Sequence, residues 1–171
     1  MKNIFLTGKK RIGKSTLIQN ILDRLNHPVG GYITERIIED NKRSYIIKSL
    51  YDHLESYPIA NIDGTDFSMK IFLDSFDTGI VSILEKSLKN RDIIILDELG
   101  FFENDCEKFK HKIYELLDSD KIILGVIKDY DCKFLNDIRK RDDILLIEVT
   151  EENREEILAK LIKIIDDLIV K

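Results

Sequence analysis

The chain has 171 residues, of which 43% are hydrophobic and 35% charged, and its net charge is −5. That balance fits one compact domain spanning 1–171 with a core of its own. An acidic protein is a poor candidate for non-specific nucleic-acid binding, and no apolar stretch approaches the ~20 residues of a membrane span.

The first apolar run, Ile4-Phe5-Leu6, predicts a short buried strand over 3–7. Residues 8–15 then read Gly-Lys-Lys-Arg-Ile-Gly-Lys-Ser, a complete G-x-x-x-x-G-K-S/T phosphate-binding loop. Helical spacing over 14–26 follows, so the motif lies between a strand and a helix N-terminus, where backbone N–H groups and the helix dipole face an anion. The expected nucleotide contacts are Gly8, Lys9, Lys10, Arg11, Ile12, Gly13, Lys14, Ser15 and Thr16. Gly8 and Gly13 let the backbone wrap close to a phosphate. Lys14 reaches the β- and γ-phosphates, and the Ser15 hydroxyl is a ligand for Mg²⁺. Lys9, Lys10 and Arg11 add positive charge, read chiefly as solvated, because such a loop binds mainly through its backbone.

Two β-rich runs, 29–38 and 43–51, meet at the polar turn Glu39-Asp40-Asn41-Lys42, predicting a hairpin. Residues 57–72, punctuated by Pro58, Gly64 and Asp66, fit short strands or loop equally well. A helix is expected over 74–89. The unbroken apolar run Ile93 to Leu96 then suits a strand over 93–97 buried on both faces of a parallel sheet. Asp97 emerges at its carboxyl end, where open α/β sheets bind ligands. Asp97 is therefore assigned to Mg²⁺, through a bridging water, and Glu98 to accepting a proton from, or polarising, an attacking water. Strand and helix then alternate: helices over 105–117, 133–141 and 151–170, strands over 122–127 and 144–149. The last helix carries an apolar stripe from Ile157 to Ile169, with Thr150 as its expected N-cap.

Cys106 and Cys132 form no metal-spaced pair and read as reduced thiols of a cytoplasmic protein. His27, His53 and His111 show no zinc spacing. The phosphate loop begins so near the first residue that no secretory leader is expected. Lys108, Lys110 and Lys112, and the run Arg139-Lys140-Arg141, read as solvated surface rather than a nucleic-acid track.

Four segments together, residues 8–16, Gly30-Gly31-Tyr32-Ile33-Thr34-Glu35, Asp97-Glu98-Leu99-Gly100 and Val149-Thr150-Glu151-Glu152-Asn153-Arg154, resemble the THEP type of small P-loop nucleoside-triphosphatase, to which the cancer-related nucleoside-triphosphatase belongs. The resemblance covers nearly the whole chain. It implies a RecA-like α/β fold, a mostly parallel sheet flanked by helices, with an antiparallel β-hairpin added. It also implies slow Mg²⁺-dependent hydrolysis of ATP, GTP and other nucleoside triphosphates to diphosphate and phosphate. Two departures stand out. Arg11 stands where such proteins usually carry a further glycine, and Phe101-Phe102-Glu103 stands where many carry Lys-Met-Glu.

Lys14 and Glu98 are the expected catalytic pair, and Ser15 and Asp97 the expected metal ligands. Asn153 and Arg154, after the strand ending near Val149, are expected at the base or ribose. Two other readings use the same scaffold. A nucleotide or small-molecule kinase would need an acceptor pocket and arginines such as Arg36, Arg43, Arg139 or Arg141, none of which carries a signature. A nucleotide-dependent switch matches Asp97-Glu98-Leu99-Gly100, but Ile127-Lys128-Asp129-Tyr130 lacks the asparagine that reads guanine.

Overall fold

The computed structural model describes residues 2–170. Its centre is an eight-stranded sheet in the order β5-β4-β3-β2-β6-β7-β1-β8. The strands are β1 (Asn3–Thr7), β2 (Val29–Glu39), β3 (Lys42–Ser49), β4 (Ser56–Asp63), β5 (Met69–Ile71), β6 (Ile93–Leu99), β7 (Ile122–Ile127) and β8 (Ile144–Glu148). Helices α1 (Lys14–Leu22), α2 (Val81–Asn90), α3 (Glu107–Leu117), α4 (Lys133–Arg139) and α5 (Arg154–Ile169) connect them. A π-helical turn, Ser75–Ile80, leads directly into α2.

From β2 through β6, β7 and β1 to β8 every pairing is parallel. The central strands β6, β7 and β1 are buried on both faces, and their residues divide by parity. Ile4 and Leu6 of β1, with Ile93 and Ile95 of β6, pack on α1 and α5 through Leu17, Ile18, Leu161 and Ile165. Phe5, Ile94 and Leu96 point the other way, into a core closed by α2, α3 and α4 through Leu84, Phe109 and Leu135.

Beyond β2 the sheet turns antiparallel. The expected hairpin is present and larger than the sequence indicated, because residues 57–72 supply β4 and β5 and extend it to a meander. The Pro58 ring is accommodated at an irregular register between Tyr45 and Ile46 of β3. Helix ends are shorter than periodicity implied. α1 stops at Leu22, with Asp23 as its C-cap. α5 begins at Arg154 with Asn153 at the N-cap position, not Thr150. The Asn153 side chain explains the shift: Oδ1 accepts from the Thr150 N–H at 2.8 Å, and Nδ2 donates to the Glu148 carbonyl at 2.9 Å, so residues 150–153 form a turn before the helix.

Candidate active site

β1, fully buried up to Leu6, delivers the chain to the loop at the carboxyl end of the sheet. Gly8 has φ +131°, and a Cβ there would lie 2.6 Å from the Val149 carbonyl, so only glycine lets the loop leave β1 past the end of β8. Gly13, at the N-cap of α1, is left-handed and carries no capping side chain, so the first-turn N–H groups of α1 face the loop. The Lys14 ammonium donates to the carbonyls of Gly8 and Lys9, both at 2.8 Å, which closes the loop around it. Burial lowers its pKa, against the opposing charges of Glu98 and Asp97.

The Ser15 hydroxyl donates to Asp97 Oδ1 at 3.1 Å, joining the start of α1 to the end of β6. Asp97 is only 3% exposed. Burial, and then the charge of Glu98, push its carboxyl up to about 7, against the Ser15 hydrogen bond and the Lys14 charge. The Thr34 hydroxyl donates to the Asp97 carbonyl at 2.6 Å, so β2 fixes the backbone that presents this carboxylate. Glu98 faces the same cleft and pairs through Oε1 with the Lys128 ammonium at 2.7 Å. That ammonium also lies 5.2 Å from the ring centres of both Phe101 and Phe102. Beneath them the Glu103 carboxylate, 2% exposed, accepts from the Gly100 N–H and closes the turn after β6. Burial pushes its pKa up to about 7.

These groups line a cleft of about 610 Å³ at the carboxyl ends of β1 and β6. The structure brings to it Gly8, Lys9, Lys10, Arg11, Gly13, Lys14, Ser15, Thr16, Asp97 and Glu98. Ile12 instead packs against the α1–α5 side of the core. Asn153 and Arg154 do not line this cleft. Both polar atoms of the Asn153 amide are engaged by the backbone of its own turn, whereas the Arg154 guanidinium lies 3.0 Å from where a Cβ on Gly13 would be, against the loop.

Sequence reasoning missed the Thr34 anchor, the Lys128 partner of Glu98 and the Glu103 turn. Lys128 had a usable signal. It follows directly on the fully buried run Ile122–Ile127, as Asp97 follows its own buried run, and so it also emerges at a strand's carboxyl end.

The family described as NTPase matches residues 3–162 of the chain. A nucleoside-triphosphatase THEP1 from Methanocaldococcus jannaschii is 31% identical, over 93% of this chain and 96% of that protein. A nucleoside-triphosphatase THEP1 from a Thermotoga species is 29% identical, over 95% and 94%. The crystal structure of THEP1 from the hyperthermophile Aquifex aeolicus superimposes with a TM-score of 0.76 at 25% identity, over 93% of this chain and 96% of that one.

Proposed function

The chain belongs to the NTPase family and is a nucleoside-triphosphatase, and from that premise we propose that it hydrolyses ATP, GTP and further nucleoside triphosphates to diphosphate and phosphate in a Mg²⁺-dependent reaction. The observation that carries the reading is the Ser15–Asp97 hydrogen bond at 3.1 Å. It holds a hydroxyl and a buried carboxylate side by side at the mouth of the phosphate loop.

That donor set suits a hard divalent cation. Magnesium takes oxygen ligands and is usually held by one or two protein groups, with phosphates and water completing the shell. Among the described residues no cluster of three or more His, Cys, Asp or Glu side chains could hold a metal unaided. Ser15 and Asp97 would hold the ion, which supplies neutralisation of charge on the β- and γ-phosphate oxygens.

The chain's own groups do the rest. The loop N–H groups and Lys14 bind the phosphates and stabilise the charge that spreads over the transferring group. Glu98 has one oxygen bound to Lys128. Its other oxygen is assigned to orienting the attacking water and drawing on its proton. Arg154, against Gly13, is assigned to the ribose or base, with Asn153 holding the turn that presents it. The whole span 1–171 is taken as one domain working in the cytoplasm, with both cysteines as free thiols. Among the described residues no helix is long and apolar enough to cross a membrane.

A phosphate-release assay with single nucleotides and no added acceptor tests the reading. Glu98→Gln should leave Mg·ATP affinity nearly intact and lower turnover by about 10²–10⁴-fold. Lys14→Ala should weaken binding by about 1.5–3 kcal/mol, as expected for a lost charge-assisted contact. Parent-like turnover in Glu98→Gln removes it from the chemistry, and unchanged affinity in Lys14→Ala removes the loop from the site.

A further inference from the structure

The four arginines that the sequence left unassigned divide into two pairs. Arg139 donates to the carbonyls of Lys128 and Tyr130 and to Asn136 Oδ1, and Arg141 bridges Asp118 and Asp143. Both are structural. Arg36 and Arg43 line the cleft, and among the described residues neither makes an ion pair or a side-chain hydrogen bond.

Their place follows from strand register. Ile33 of β2 lies opposite Asp97 of β6. Arg36 is three residues further along β2, about 10 Å at the usual rise, and Arg43 pairs with Ile38, about 17 Å beyond that level. Parity puts Thr34, Arg36, Arg43, Tyr45 and Ile62 on the one face of the meander that lines the cleft. Two guanidiniums thus stand past the end of the metal-side strand, on a wall that also offers Tyr45 and Ile62. Phe102, edge-on to Tyr45 with ring centres 5.2 Å apart, continues the apolar surface. The carboxylates facing this space are Asp97, bonded to Ser15, Glu98, paired with Lys128, and Asp129. The triphosphate has cations of its own in Lys9, Lys10, Arg11 and Lys14.

We propose that Arg36 and Arg43 with Tyr45 form a second binding site, beyond the terminal phosphate, for a small molecule that joins a phosphate monoester to a flat apolar body. The two planar forks match phosphate oxygens in pairs, and the aromatic wall takes the ring. The site rests on the triphosphatase reading, because it is defined relative to a triphosphate in the loop.

Phenyl phosphate is the probe, titrated calorimetrically into protein already saturated with Mg²⁺ and adenosine 5′-(β,γ-imido)triphosphate. One equivalent should bind. Arg36→Ala and Arg43→Ala should each weaken it by about 10- to 100-fold while leaving affinity for the triphosphate analogue unchanged. Tyr45→Ala should weaken phenyl phosphate but not inorganic phosphate, which separates the ring's contribution from that of the anion. Thermal midpoints close to that of the parent exclude a folding defect. The proposal fails if the saturated parent binds no phenyl phosphate at millimolar concentration. It also fails if the arginine variants bind the probe as the parent does, or lose the triphosphate analogue to the same extent, since the guanidiniums would then serve the triphosphate itself. Failure of the parent to bind the analogue at all would instead overturn the underlying reading.

Discussion

The two halves of the sheet use their side chains differently. In the parallel half, all six residues of β7 and the first five of β6 are buried, and those strands are consumed by packing between two helical layers. Chemistry there is confined to strand ends, at Gly8, Asp97 and Lys128. In the antiparallel half only one face is covered. β3 alternates buried and exposed positions toward its end, and large apolar groups such as Ile38 and Met69 stay exposed. The face that carries Ile47 outruns its helical cover along the strands, and there Tyr45, Arg43 and Arg36 project into the cleft. A doubly covered sheet fixes a site by backbone position, and a singly covered one furnishes it with side chains.

The seam between the halves is β2, parallel to β6 on one side and antiparallel to β3 on the other. Breaking it should give the largest effect. Gly31 has φ +83°, and a Cβ there would fall 1.9 Å from the Ile95 carbonyl, an unyielding backbone atom in the centre of the sheet. Its N–H is also held by the Ser87 hydroxyl at 2.8 Å. Gly31→Ala therefore combines left-handed strain with overpacking and should destabilise the fold by about 4 kcal/mol. Urea unfolding measures this. A loss below about 1 kcal/mol would mean that β2 and β6 can separate without consequence, and that the halves are not welded there.

The same contrast explains what was legible beforehand. The parallel half follows from unbroken apolar runs, and the phosphate loop and Asp97 from their position after such runs. The antiparallel half was half read: 29–38 and 43–51 are β-rich runs that meet at a polar turn, but 57–72 holds Pro58 and Gly64 and has no pattern long enough to name two strands. Partners formed by tertiary contact were out of reach, because no local pattern says that Lys128 meets Glu98 or that Thr34 meets the carbonyl of Asp97. The N-cap of α5 was misplaced for a local reason. Threonine and asparagine are both capping residues, and the side chain of Asn153 folds back onto its own turn.

A buried acid in the parallel half gives the next effect. Glu103 titrates near 7 in the folded chain against an ordinary 4.5, because burial disfavours its charge. The folded state then holds this proton more tightly than the unfolded state does. The stability it contributes is full below about pH 4.5 and is lost as pH rises to about 7, by about 3 kcal/mol in all. Asp97 shifts in the same direction, so the comparison is parent against Glu103→Gln, in which that contribution cancels. The glutamine keeps an oxygen to accept from the Gly100 N–H. Denaturant curves at several pH values should show the variant losing less stability than the parent between about pH 5 and pH 8. Parallel curves would show that Glu103 is ionised in the fold at no cost.

The smallest effect belongs to the phosphate loop itself, at the carboxyl end of the parallel half. Arg11 adopts φ +65°, the left-handed region that glycine enters freely. An L-residue there is strained by about 1–2 kcal/mol. Arg11→Gly relieves that strain but adds freedom to the unfolded chain worth about 0.5–1 kcal/mol. The net change in stability should be a gain of about 1 kcal/mol or less. The substitution also removes one exposed cation from a loop that already has Lys9, Lys10 and Lys14. Triphosphate affinity should therefore fall only slightly, with a shallower dependence on salt, because an exposed charge acts over distances that salt screens. Titrations of Mg·ATP at low and high ionic strength, on parent and variant, check both parts. An affinity loss of 100-fold that persists at high salt would instead make Arg11 a direct phosphate ligand, placed by the strained backbone rather than merely tolerated in it.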